Sequence, residues 1–72
     1  MFDRANLSDL EREFHRARKD YMDEVENTTN LLKLDGAINL GAFRQQHSNE
    51  ERAFQRYQAA RDAFRRAWAL AA

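Results

Sequence analysis

LSDLEREFHRARKDYMDEVENTTNLL, residues 7–32, decides the architecture. Within it Leu7, Leu10, Phe14, Ala17, Tyr21, Val25, Thr28 and Leu32 recur at intervals of 3, 4, 3, 4, 4, 3 and 4. At 3.6 residues per turn these positions fall in one narrow arc, and Glu11, Glu13, Arg16, Lys19, Asp20 and Asp23 fall outside it. So long a stripe predicts a single amphipathic helix. Two starts are available. Asp3 can cap the helix with Phe2 and Leu7 as a hydrophobic staple, or Ser8-Asp9-Leu10-Glu11 can act as a capping box one turn later.

The stripe runs into Asp35-Gly36. Glycine tolerates the left-handed conformation that ends a helix, and Asp-Gly is a turn pair. Lys33 suits the negative end of the helix dipole. The first helix is therefore expected over about 4–34, with the turn at about 35–36.

Beyond the turn, Ala53, Tyr57, Ala60, Phe64, Ala67 and Ala71 repeat at 4, 3, 4, 3 and 4, with Phe54, Arg61 and Trp68 in a parallel row. A second helix is expected over about 37–71. The alternative is a helix over 49–71, with a break at 47–49, because Ser48-Asn49-Glu50-Glu51 reads as a fresh capping box and a continuous helix puts His47 and Glu50 at core positions. Two segments of matched length around one turn make an all-α antiparallel helical hairpin, a single domain spanning 1–72.

Composition agrees. Proline is absent, the only glycines are Gly36 and Gly41, and Val and Ile occur once each, leaving little for a sheet. Eight aromatics argue against disorder despite 33% charged residues. With no cysteine, neither a disulfide nor a thiolate metal site can staple so short a chain. Oligomerisation is the remaining device.

The second segment sharpens that expectation. Its apolar face is too wide for the one seam of a hairpin. Each of Phe54, Tyr57, Phe64 and Trp68 left wet forgoes about 1.5–3 kcal/mol of burial. A second copy supplies the cover in a twofold four-helix bundle with coiled-coil-like packing. Ala53, Ala60 and Ala67, seven apart, leave a row of low bulk along which a neighbouring backbone can approach. The candidate interface is Phe54, Tyr57, Ala60, Arg61, Phe64, Ala67 and Trp68. Arg61 interrupts this face. Either its stem packs while its head reaches water, or it pairs with a carboxylate, Glu24 being one candidate.

Chemistry is sparse. Glu11 and His15 stand four apart, but further metal ligands are not evident. His47 reads as a polar residue at a helix boundary rather than a pH-sensitive joint. Asp23 and Glu24, like Glu50 and Glu51, are adjacent in sequence and do not face each other. The Asn27-Thr28-Thr29 sequon carries no weight without a secretory signal. No catalytic, cofactor-binding or metal-ligating residue is assigned, and no small-molecule substrate is evident. Neither a signal-like nor a membrane-spanning run is seen, so the default expectation is a cytoplasmic protein without membrane contact.

Formal net charge is zero, but unevenly spread. Residues 1–35 hold nine acids and six bases, and residues 36–72 hold three acids and six bases. Arg44, Arg52, Arg56, Arg61, Arg65 and Arg66 supply all the positive charge of the second half. Split across two flanks, they fit inter-helix salt bridges to the acidic first segment better than one phosphate-binding stripe. The expected function is a non-enzymatic protein–protein interaction module, a small adaptor or regulatory homodimer. The alternative is a nucleic-acid-binding helical dimer using the arginines of the second helix, an architecture broadly like that of small plasmid-encoded RNA-binding four-helix bundles. No residue motif carries that likeness.

Overall fold

Helix formers run through both segments without a proline, and both fold as expected. The computed structural model describes residues 4–33 and 40–71. It contains two helices packed against each other, α1 (Arg4–Leu32) and α2 (Leu40–Ala71). Their contacts run in opposite senses. Phe14 stacks on Phe64, Tyr21 on Tyr57, and Thr28 reaches Glu50, which defines an antiparallel hairpin. The Asp35-Gly36 turn and the Phe2–Asp3 cap lie outside the described residues.

α1 passes through Ser8, so the capping box there does not start it. At its other end the Lys33 amide donates to the carbonyls of Thr29 and Asn30, both at 3.2 Å. α2 is likewise continuous through 47–49. The break considered there does not occur, because the polar side chains that suggested it are satisfied within the helix. Gln45 donates to Asn49 at 3.1 Å, Arg52 donates to the same oxygen, and His47 lies 3.5 Å from Glu51. Of the two residues expected at core positions, His47 is exposed. Glu50 is half-buried and takes a hydrogen bond.

The stripe of α1 faces α2 from Leu7 to Thr28, and then departs from expectation. Leu32 is exposed and Leu31 is half-buried in its place.

The seam has two halves. Toward the ends remote from the turn it is aromatic. Phe14 lies between Tyr57 and Phe64, with ring centroids 5.7 and 5.8 Å away, and Tyr21 meets Phe54 at 5.1 Å. Toward the turn it is polar. Gln46 Nε2 donates to the Glu24 carbonyl at 3.0 Å and to Glu24 Oε2 at 2.7 Å. The Thr28 hydroxyl lies 3.1 Å from that carbonyl and 3.0 Å from Glu50 Oε2, two acceptors for its one proton. Gln46→Ala removes the bridge and is expected to cost about 1–2 kcal/mol, read as a lower urea midpoint. Gln45→Ala, which loses only an exposed bond within α2, should leave that midpoint nearly unchanged.

Candidate interaction surfaces

Burial shows how little one hairpin encloses. Among the described residues the only buried apolar ones are Ala17 (6% exposed), Ala53 (4%) and Ala67 (5%). No large side chain among the described residues is completely buried. Alanine brings the two helices close, and the rings that flank the close approach are left half-covered.

The helical wheel and the contacts divide the hairpin into two sides. On one, the aromatic side, lie Leu7, Phe14, Tyr21 and Val25 of α1 with Phe54, Tyr57, Phe64 and Trp68 of α2. On the other, the alanine side, a groove of about 410 Å³ runs between Glu13, Ala17 and Asp20 on one wall and Arg56, Ala59 and Ala63 on the other. A more polar cleft of about 280 Å³ continues it, with Asp23 and Glu24 opposite Asn49 and Arg52.

The seven candidate interface residues fall into two groups. Tyr57, Ala60, Phe64 and Ala67 face α1 of the same chain, and the two rings stack on Phe14. Phe54, Arg61 and Trp68 stand at the outer edge of the aromatic side. Phe54 is 39% exposed and Trp68 60%. Arg61 does not reach Glu24, which is taken by Gln46. Its guanidinium lies 5.7 Å from the centroid of the Tyr57 ring, and its Nε lies 3.5 Å from Asp62 Oδ1. That Nε is buried and makes no hydrogen bond.

The anticipated salt bridges between the helices are absent among the described residues. Every charged contact among those residues is local: Arg12–Asp9, Arg16–Glu13, Lys19–Asp23, the imidazole–carboxylate contacts His15–Glu11 and His47–Glu51, and Arg61–Asp62. All but the last are well exposed and contribute little to stability. The physical reason is the alanine groove. It holds Asp20 and Asp23 away from Arg52 and Arg56, so the charges line opposite walls without touching. The groove was not foreseen. Its sequence signal is Ala59 and Ala63 beside the alanine row, with Glu13 and Asp20 flanking the α1 stripe.

His15 and Glu11 approach to 3.6 Å on an exposed face. Among the described residues no group of three or more His, Cys, Asp or Glu side chains converges as a metal site would require, and no helix is long and apolar enough to cross a membrane. Compared with known protein families, characterised proteins and solved structures, the chain matches none.

Proposed function

We propose that this chain is a non-enzymatic protein–protein interaction module, a helical hairpin that works in the cytoplasm as a homodimeric four-helix bundle. One observation carries the dimer. The chain exposes 5862 Å². A compact monomer of its 8.5 kDa exposes about 4,650 Å². The excess, roughly 1,200 Å² per chain, exceeds the ~800 Å² that each partner of a standard protein interface buries. Most of the exposed aromatic area lies on the aromatic side, which makes that side the dimer face. Mass action supplies a first check. The thermal midpoint of a folded dimer rises with chain concentration, whereas that of a monomer does not.

With the aromatic side closed on itself, the alanine side is the surface left for another protein. Its apolar floor between oppositely charged walls suits an amphipathic helix. Ala59→Glu with Ala63→Glu fills that groove without touching the aromatic side. A partner retained by the native chain and lost by this variant, while the variant still dimerises, supports the adaptor reading. Retention of the same proteins by both contradicts it. The arginines supply no single phosphate-tracking stripe: Arg52 and Arg56 line the alanine side and Arg61 borders the aromatic side. Nucleic-acid binding therefore stays the weaker reading, and a steep loss of RNA or DNA binding with added salt is the result that would promote it.

A further inference from the structure

We infer that the two copies pair with their turns at the same end, each α1 lying against the partner's α2, and that Glu11 of one copy meets Arg61 and Arg65 of the other. This rests on the dimer proposed above and adds which helices touch. With the aromatic sides face to face, a twofold axis has two orientations. Perpendicular to the hairpins, it sets α1 on α1 and α2 on α2, with the turns at opposite ends. Parallel to them, it sets α1 on α2, with the turns together.

Charge separates the two. α1 carries seven acids and five bases, and α2 carries three acids and six bases. The perpendicular axis sets like-charged helices side by side, and the parallel axis sets opposite charges together. The register within the hairpin then fixes which residues meet. Phe14 lies level with the interval between Tyr57 and Phe64. One turn nearer the helix start, Glu11 is level with the interval between Arg61 and Arg65, on the same side of the hairpin. A twofold axis along the hairpin keeps each residue at its own level while exchanging the helices. Glu11 is therefore delivered between the partner's Arg61 and the partner's Arg65.

All three groups are available for such a contact. Glu11 has only the exposed His15 at 3.6 Å, Arg61 has only the adjacent Asp62 at 3.5 Å, and Arg65 makes no ion pair among the described residues. The apolar groups match in the same register. Tyr21 stacks on Tyr57 and meets Phe54 at a tilt, which sets the adjacent Met22, 51% exposed, level with the exposed Phe54. Leu7, two turns before Phe14, is level with Trp68. The perpendicular axis instead turns Arg61 and Arg65 toward the turn-proximal half of a second α2, and Leu7 toward Leu32.

Because the chain has no cysteine, single cysteines can be introduced without background. Chains carrying Leu7→Cys are mixed with chains carrying Trp68→Cys, refolded together and treated with a short bis-maleimide. The inference expects a 7–68 linked pair of chains as the main product. A mixture of Leu7→Cys and Leu32→Cys chains should give little linkage. A dominant 7–32 product, or no 7–68 product from a species that sediments as a dimer, overturns the inference and leaves the dimer standing. Monomeric sedimentation overturns both. Charge exchange gives a second reading. Glu11→Arg should weaken the dimer about tenfold, and Arg61→Glu likewise, whereas the two changes in one chain should restore most of the loss. Losses that simply add contradict the contact.

Discussion

Glutamate at both Phe54 and Trp68 should split the assembly and unfold the chain in the same transition. Burying these two rings against a second copy is worth about 1.5–3 kcal/mol apiece, and each new carboxylate adds a desolvation cost. The stability of a chain this size is only a few kcal/mol. Among the described residues of one hairpin, nothing larger than alanine is buried to compensate. Far-ultraviolet circular dichroism at micromolar concentration should therefore show most of the helical signal lost. The same substitutions on a self-sufficient monomer would cost less and leave the helices folded, because Trp68 is already 60% exposed and Phe54 would forfeit only its contacts with Tyr21 and Tyr57. A variant that keeps its helical signal and its native thermal midpoint would show that the aromatic side needs no cover.

Leucine at Ala53 should cost nearly as much, for the opposite reason. Ala53 is the most enclosed of the three buried residues, at 4% exposed. It sits between Phe54, which meets Tyr21, and the polar layer held by Gln46 and Glu50. Three added carbons either part the helices, which unstacks the rings on one side and strains the hydrogen bonds on the other, or force the leucine out into the groove that Ala53 helps to line. Overpacking a closed site costs about 1–3 kcal/mol. Ala53→Leu should lower the urea midpoint sharply and broaden the transition. Ala59→Leu, on the exposed rim of the groove, adds the same three carbons and should change the midpoint little. Equal effects at the two positions would mean that the close approach of the helices is not fixed by the alanine row.

The hairpin was legible because its signal is redundant. The stripe from Leu7 to Thr28 repeats for six turns, no proline interrupts either helix, and the one glycine within them, Gly41, falls in the first turn of α2. Legibility failed where one residue had to be judged alone. Leu32 continues the pattern on paper, but at the end of α1 it is Leu31 that is half-buried and Leu32 that is exposed. Ser48-Asn49-Glu50-Glu51 carries a capping signature, yet side-chain bonds four residues apart hold the same residues inside a continuous helix. The salt bridges expected between acidic α1 and basic α2 depend on distances across a seam, and sequence gives the sign of a charge without that distance. Arg61 shows the same limit. Its place on the apolar face was readable, whereas its position over Tyr57, with one nitrogen buried and unpaired, required three dimensions. The interface set divides for a related reason. Tyr57 and Phe64 are used by their own chain, so the demand for a partner narrows to the Phe54, Arg61 and Trp68 edge.

Sedimentation equilibrium at tens of micromolar tests the dimer most directly. Two closed hairpins require a single species of twice the 8.5 kDa chain mass, dissociating only on dilution and with loss of helix. A single species at the chain mass that still unfolds cooperatively would mean that the exposed aromatic side is tolerated by a lone hairpin.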